Sequence, residues 1–301
     1  GVLLPIATSL TYSLSAEKIL VTGAVSGSGD SSAQMEMAVQ MTQQSAQEAL
    51  TLVKNYFQAL NPQISMAKLL GEFLAKLTIH HQLLSASYNV GGPSAGYALA
   101  LNTLSAILHI PIYPDFGITG APWTKGVTKD EVGGSVIIGG HKKKAEKVLQ
   151  YLRRMYMPRQ NYRSLENEFL IGYWSQNKDI LGVTHFGDLV PETIWLGDDY
   201  EKLVLELIDQ RIRYKLKKYQ NNESDEAGKE NIIRLKSILK KQAEKEIIRK
   251  LNAIKDYLSN PDHDPLTSLE SIFKGEQKMV PKQVKKMFGL FDPLAARFKK
   301  S

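Results

Sequence analysis

The apolar positions in the first part of the chain follow two different periods. Residues 4–13 alternate between large apolar and smaller side chains, and residues 17–24 contain an apolar run, which predicts two strands. From residue 32 to 60, apolar residues recur at near-helical spacing with no internal Gly or Pro, and Asn61-Pro62 ends this predicted helix. Residues 77–84 predict a third strand.

The middle of the chain continues to alternate between helical and strand patterns. Residues 94–108 are rich in Ala and Leu and predict a buried helix, and short apolar pieces near 117–120 and 135–138 predict strands. A helix over 142–154 and a strand near 155–157 follow. Alternation of this kind indicates an α/β or α+β fold.

The pattern changes in the last third of the chain, where long helical segments replace the alternation. Residues 199–219 predict a helix that becomes basic, and residues 229–258 carry apolar side chains on one helical stripe. This stripe consists of Ile232, Leu235, Leu239, Ile247, Leu251, Ile254 and Leu258. We therefore predict one domain over residues 1–200 and a basic helical extension over residues 201–301.

The basic charge of the chain belongs to this extension. The formal net charge is +7, and residues 201–301 hold 23 Lys and Arg against 15 Asp and Glu, whereas residues 1–200 hold 15 against 16. A basic stretch on helices that also carry an apolar stripe is typical of a solvated or protein-packing surface, so we do not expect a nucleic-acid partner. No apolar run approaches the ~20 residues of a membrane helix. The absence of cysteine excludes disulfides, thiol nucleophiles and Cys-based zinc sites.

One serine lies in a context that favours chemistry. The stretch Asn89-Val-Gly-Gly-Pro-Ser-Ala-Gly96 stands between a predicted strand and a predicted helix. Glycines allow a tight turn, and a serine at a helix N-terminus lies beside unpaired N–H groups that stabilise an oxyanion. Taken alone, the stretch fits Ser94 as a nucleophile and equally as an N-cap behind Pro93.

A lysine-rich helix offers a base for such a serine. The segment Gly139-Gly-His-Lys-Lys-Lys-Ala-Glu-Lys147 places a glycine turn before several lysines. A lysine accepts a proton from a serine hydroxyl only when its amine is neutral, and burial in an apolar pocket favours the neutral form. Lys144 lies four residues before Val148 and therefore on the apolar face of the helix. The other three lysines of the segment fit a solvated face.

These motifs resemble those of the Lon protease family. Gly92-Pro-Ser-Ala-Gly96 is similar to the signature around the family's catalytic serine, and Gly139-Gly-His-Lys-Lys-Lys144 to its glycine-pair motif, whose sixth residue is the catalytic lysine. Ile118-Thr-Gly120 resembles a Thr-Gly segment in which the threonine hydroxyl holds the lysine amine. The resemblance extends over residues 1–210 and includes a Ser-Ala-x-x-Ala helix, a histidine-bearing strand and the segment after the lysine helix, namely Ser45–Ala49, Ile79–His80 and Met157–Asn161.

The resemblance implies a serine endopeptidase that cleaves polypeptides with a Ser-Lys dyad. Ser94 would be the nucleophile and Lys144 its general base, with Thr119 and His80 in support. The oxyanion hole would consist of backbone N–H groups of Gly91, Gly92 and Ser94. The resemblance also implies the α+β fold of ribosomal protein S5 domain 2 and a homo-oligomeric, hexameric ring. We expect no metal and no cofactor in this chain.

The sequence contains no recognisable ATP-binding motif. No match to the Walker A pattern G-x-x-x-x-G-K-[ST] occurs in the sequence. ATP-dependent proteolysis, with its role in protein quality control, would therefore need an ATPase part or partner outside this chain. Cytoplasm and mitochondrial matrix are both consistent with the resemblance, and the compartment is left open.

Several positions depart from the family's pattern. The Lys-Asp pair that usually precedes Gly-Pro-Ser is replaced by Val90 and Gly91, and the acidic residue after Thr-Gly by Ala121. The stretch over residues 121–134 is longer than usual. These departures favour an alternative function, a catalytically weak or inactive Lon-like domain that serves as a scaffold or assembly module, with the basic helical tail docking a partner or a neighbouring subunit. The intact serine, threonine and lysine favour the peptidase.

Overall fold

The structure is a computed structural model. It describes residues 3–12, 18–23, 32–62, 71, 73–84, 93–123, 132–166, 170–221, 225–262 and 269–273. The chain divides into two compact units, Gly1–Asn252 and Ala253–Ser301. The strands described below and the candidate site all belong to the first unit.

The first sheet has three strands: β1 (Ile6–Tyr12), β2 (Lys18–Gly23) and β3 (Leu77–Leu83). β3 lies in the centre, antiparallel to β1 and parallel to β2. Every second side chain of β3 is buried, because successive side chains in a strand point to opposite faces of the sheet. The three strands predicted in this part of the sequence are confirmed to within two residues at each end.

Two helices pack on each other and on this sheet. α1 (Ser32–Leu60) contacts β2, and α2 (Gly96–Leu108) contacts β1. The predicted bounds of α1 are confirmed, and α2 is buried along most of its length, as its Ala- and Leu-rich sequence predicts. α2 ends at Leu108, and the C-cap residue His109 has a left-handed backbone (φ 50°) and donates its N–H to the Ser105 carbonyl.

A second sheet contains the strands that frame the site. β4 (Phe116–Ile118), β7 (Arg154–Pro158) and β8 (Asp179–Val183) run parallel with β7 in the centre. β5 (Ala121–Trp123) and β6 (Gly134–Val136) pair as a separate antiparallel two-stranded sheet. The helix α3 (His141–Tyr151) connects β6 to β7 and packs against β7. The predicted helix over 142–154 is confirmed but ends earlier, because residues 154–158 belong to β7.

Four further helices lie among the described residues up to 221, namely α4 (Arg159–Leu165), α5 (Leu170–Ser175), α6 (Phe186–Thr193) and α7 (Asp198–Asn221). Buried ion pairs fix α7 to the rest of the first unit. Both terminal nitrogens of Arg211 lie 3.2 Å from the Glu192 carboxylate, and Lys215 Nζ lies 3.1 Å from Asp179 Oδ1. These four side chains are at most 14% exposed.

The helix α8 (Glu226–Ser259) carries the predicted apolar stripe. Within the first unit the stripe is buried at Leu235, Leu239, Ile247 and Leu251. The Tyr200 hydroxyl of α7 donates to the Leu239 carbonyl of α8 at 2.5 Å, so the two helices are in direct contact. The first unit ends at Asn252, within α8. The predicted boundary at residue 200, between a proteolytic domain and a helical extension, stays a prediction. The second unit contains the short helix α9 (Leu269–Ile272). Helices and strands together give the predicted α+β class.

Candidate active site

Ser94 lies in a single 3₁₀ turn, Pro93–Ala95, that leads into α2. The N-cap of α2 is Ala95, with no side-chain capping bond. The interpretation of Ser94 as an N-cap is therefore wrong. Its side chain is half-buried, and its hydroxyl faces the amine of Lys144.

Small residues bring the Ser94 turn close to its neighbours. Ser45 of α1 is buried and its hydroxyl donates to the Pro93 carbonyl at 3.4 Å. A Cβ atom on Gly96 would lie 2.3 Å from Pro122 Cδ and 3.2 Å from Ser45 Oγ. Only glycine fits here, because real Cβ contacts do not fall below 3.0 Å. The glycine of the Pro-Ser-Ala-Gly motif thus allows β5 to pack on the start of α2.

The segment Thr119–Gly120 joins the Ser94 turn to the second sheet. The Gly120 N–H donates to the Ser94 carbonyl at 2.8 Å, and the Thr119 N–H donates to the Tyr156 carbonyl of β7 at 3.0 Å. The Tyr97 N–H donates to the Gly120 carbonyl at 3.1 Å, so Gly120 is bonded on both sides to the start of α2. Thr119 is therefore held at a fixed position beside Ser94, with its side chain buried.

Lys144 lies in the first turn of α3. The helix begins after Gly140, which has a left-handed backbone (φ +66°) that favours glycine. Val148, one turn after Lys144, is buried against β4. A Cβ atom on Gly117 of β4 would lie only 2.6 Å from Val148 Cγ1, so this glycine lets α3 approach the strand that leads to Thr119. The inward face predicted for Lys144 is the face that packs on the sheet.

Ser94, Thr119 and Lys144 form one cluster of polar side chains. Lys144 Nζ lies 3.1 Å from Ser94 Oγ and 3.3 Å from Thr119 Oγ1. The Thr119 hydroxyl donates to the Ser94 carbonyl at 3.4 Å, which leaves its oxygen free to accept from the lysine amine. Burial lowers the pKa of Lys144. In the part of the chain that the structure describes, no carboxylate forms an ion pair with Lys144, so no opposite charge there offsets the effect of burial.

This arrangement is suited to activating a hydroxyl. A neutral lysine amine has one lone pair and two N–H groups, so it can accept the Ser94 proton while donating to Thr119. The amine–hydroxyl distance lies within the range in which a general base accepts a proton from its nucleophile. The cluster therefore fits acyl transfer with serine as the nucleophile.

Residues 4–186 match the family model of the Lon protease (S16) C-terminal proteolytic domain. The match covers more than half of the chain and includes all three residues of the cluster. The chain belongs to this family. Membership of the Lon family implies a peptidase, and the α+β composition of the structure agrees with the family.

Two of the predicted oxyanion residues of the Lon domain, Gly91 and Gly92, lie outside the described residues, as does Val90. Ala121, which stands where the family has an acidic residue, is buried in β5 and pairs with Val136. The pattern of the sequence could not show that this position is inside the protein.

His80 lies on β3 and is separated from the cluster. Its Nε2 hydrogen-bonds to the Thr22 hydroxyl at 2.6 Å, and within the described residues it has no hydrogen bond to Ser94, Thr119 or Lys144. The neighbouring His81 is buried, which together with the charge of His80 lowers its pKa to about 4, so it is neutral near pH 7. Its ring links the Thr8 hydroxyl of β1 to that of Thr103 on α2. His81 thus connects the sheet to the helix that follows Ser94, and its burial marks a role that the sequence did not reveal.

Neither a metal site nor a membrane span is found in the residues that the structure describes. No group of three or more His, Asp or Glu side chains there could hold a metal ion. None of the described helices is long and apolar enough to cross a membrane.

Proposed function

We propose that the chain is a serine endopeptidase that hydrolyses peptide bonds with a Ser94–Lys144 dyad. The observation that carries the proposal is the 3.1 Å contact between Lys144 Nζ and Ser94 Oγ in a family of peptidases. The partial burial of Lys144, which lowers its pKa, and the absence of a paired carboxylate among the described residues support a neutral amine. Thr119 accepts a hydrogen bond from that amine and orients its lone pair toward Ser94.

The reaction proceeds in two acyl-transfer steps. Neutral Lys144 takes the Ser94 proton while Oγ attacks the carbonyl carbon of a peptide bond, and the backbone N–H groups of Gly91, Gly92 and Ser94 hold the new oxyanion. The lysine ammonium then returns the proton to the leaving amine as the C–N bond breaks. Water, deprotonated by the same lysine, hydrolyses the acyl-serine ester and restores Ser94. The supporting role predicted for His80 stays a prediction, since its described side-chain hydrogen bond goes to Thr22.

Hydrolysis of a fluorogenic peptide and of an unfolded polypeptide tests the dyad. We expect Ser94→Ala and Lys144→Ala each to lose at least about 10³-fold in kcat/KM, because residues that act as one catalytic unit fail together. Lys143→Ala is the matched control, because Lys143 is an exposed neighbour on the same helix, and it should keep the activity of the parent chain. Undiminished cleavage by either site variant would exclude the dyad.

The wider setting of the domain follows from family membership as further proposals. We propose the fold of ribosomal protein S5 domain 2, a hexameric ring, and polypeptide substrates delivered by an ATPase part or partner. Docking of a partner or subunit on the basic helices is proposed only for surfaces outside the buried stripe. Analytical ultracentrifugation tests the ring, which predicts a species six times the mass of the chain.

One observation favours a second candidate function. Ala121 occupies the position of the family's acidic residue, and a domain that had lost catalysis would retain only its assembly role as a scaffold. The two functions separate in one experiment. A scaffold forms oligomers and shows no cleavage that depends on Ser94, whereas the peptidase shows cleavage that Ser94→Ala abolishes.

A further inference from the structure

Asn161 is a buried polar residue close to the start of the lysine helix. It is the third residue of α4, directly after β7, and only 2% of its surface is exposed. Its Oδ1 accepts from the Ile138 N–H at 2.9 Å and its Nδ2 donates to the Ile138 carbonyl at 2.9 Å. One side chain thereby satisfies both backbone groups of one residue, as a neighbouring strand would do.

The same carboxamide also reaches the other side of the glycine pair. Asn161 Nδ2 lies 3.0 Å from Nδ1 of His141, the first residue of α3. Since both hydrogens of Nδ2 are then used, His141 Nδ1 accepts and its Nε2 carries the proton, which it donates to Ser164 Oγ at 2.8 Å. The Ser164 hydroxyl in turn donates to the Asn161 carbonyl at 2.7 Å.

The glycine pair between these two anchor points has little support of its own. A Cβ atom on Gly139 or Gly140 would have no neighbour within 4 Å, and Gly140 has a left-handed backbone. Lys144 belongs to the helical turn that begins here, and its N–H donates to the Gly140 carbonyl at 3.1 Å. The direction of this first turn therefore depends on the residues held on either side of the glycines.

We propose that Asn161 is a positioning residue of the dyad, which fixes the Ile138–His141 turn and thereby holds the Lys144 amine in its half-buried place between Ser94 and Thr119. It touches neither the reacting atoms nor the proposed substrate. Tyr156, whose carbonyl accepts from the Thr119 N–H, lies on β7 directly before α4, so one strand and the helix that follows it hold both partners of Ser94. This inference rests on the proposed peptidase function.

The variants Asn161→Leu and Asn161→Ala remove all three hydrogen bonds without adding a charge near Lys144. We expect kcat/KM for peptide hydrolysis at pH 7 to fall about 10- to 100-fold, as a catalytic group displaced by 1 Å does, and the acid limb of the pH profile to move to higher pH. The limb moves because a lysine that enters water regains its ordinary pKa. Ser164→Ala is the matched control, since it removes a bond to His141 and leaves the Ile138 bonds in place, and should stay within about twofold of the parent.

A second measurement reads the position of Lys144 without using activity. Competitive acetylation of lysines with trace acetic anhydride across pH, followed by mass spectrometry, gives the protonation midpoint of each amine, with exposed Lys143 as internal reference. We expect the Lys144 midpoint to rise in the Asn161 variants that remain folded by circular dichroism, and the Lys143 midpoint to stay constant. If neither Asn161 variant folds, His141→Ala, which removes only the helix end of the clamp, should raise the Lys144 midpoint by a smaller amount.

The outcomes distinguish this inference from the function on which it rests. A parent chain without Ser94-dependent cleavage contradicts the peptidase, and the acetylation midpoints still decide the role of Asn161. An unchanged Lys144 midpoint in the folded variants, whether or not their activity falls, would show that Asn161 does not position the lysine.

Discussion

Gly117→Ala is a single-methyl change that acts on the dyad from a distance. Gly117 lies on β4, two residues before Thr119, and faces Val148 on the helix that carries Lys144. The added Cβ would lie 2.6 Å from Val148 Cγ1 and 3.0 Å from Val148 Cγ2, whereas ordinary contact begins at 3.4 Å. Because both groups belong to packed secondary structure, the overlap is relieved only by moving α3 away from the sheet.

The size of the effect follows from this overlap. The methyl group exceeds the available space by about 0.8 Å, and overpacking of this kind costs about 1–3 kcal/mol of stability. A helix shift of similar size would lengthen the 3.1 Å contact between Lys144 Nζ and Ser94 Oγ toward 4 Å, beyond hydrogen-bond distance. A displacement of about 1 Å in a catalytic group costs about 100-fold in rate. A 100-fold loss of kcat/KM corresponds to about 2.7 kcal/mol, so we expect the losses of activity and of stability to be similar in free energy.

The assay compares peptide hydrolysis and urea unfolding for the parent chain and three variants. Gly117→Ala should be slow and mildly destabilised. In Gly117→Ala/Val148→Ala, the nearest remaining side-chain atom of residue 148 is Cβ at 3.4 Å, so the helix returns and activity recovers in part. Gly139→Ala is the control, because its Cβ meets nothing within 4 Å and its backbone is not left-handed, and it should retain the parental rate. Full activity in Gly117→Ala, or no recovery in the double variant, would refute this account of how the lysine is placed.

Three further predictions concern packing, pH and a buried charge. Gly96→Ala should lose about 1–3 kcal/mol in urea unfolding, because its Cβ would lie 2.3 Å from Pro122 Cδ, and an unaltered midpoint would contradict the packing. Since burial lowers the pKa of Lys144 and the neutral amine is the active form, kcat/KM should fall as the pH drops through a midpoint that lies below the pKa of a free lysine. Lys144→Arg stays charged and should be inactive at every pH tested. Burial raises the pKa of Glu192, but the neighbouring positive charges, Arg211 foremost, together outweigh this effect, so the pKa is lowered overall. The Glu192–Arg211 ion pair therefore stabilises the fold above the pKa of a free glutamate, and this stabilisation is lost as the pH falls through the lowered pKa. Glu192→Gln should reduce the free energy of unfolding by about 3–5 kcal/mol in the same assay at pH 7.

The sequence predicts those helices and strands whose apolar residues follow a clear period and whose ends are marked by nearby helix- or strand-breaking residues. The bounds of α1 follow from an uninterrupted helical period closed by Asn61-Pro62, and β3 from its alternation. The helix α6 escapes this reasoning because it is short and contains Pro191, and β8 because its five residues form a buried strand too short to show a period. Helix and strand cannot be distinguished from so few apolar residues, and only the neighbouring strand β7 decides.

In the candidate site, too, the residues with local sequence motifs were predicted and the residues that support them were not. Ser94, Thr119 and Lys144 were predicted from ordered motifs, and the structure brings them within 3.4 Å of their partners. Their supports are contacts between residues distant in sequence, such as Gly117 with Val148 or Asn161 with Ile138. A glycine in a strand or an asparagine in the first turn of a helix has no local sequence pattern that identifies its partner, so these roles become visible only in three dimensions. His80 was predicted from its motif alone, and the hydrogen bond described for its side chain goes to Thr22.

We expect Ser94, activated by Lys144, to form an acyl intermediate. Intact-protein mass spectrometry after rapid quenching of the chain with an activated peptidyl ester measures this species directly. We expect one acyl adduct, located on Ser94 by fragmentation, that accumulates in the parent chain and is absent from Ser94→Ala and Lys144→Ala. An adduct on another residue, or peptide cleavage by Ser94→Ala at the parental rate, would contradict it.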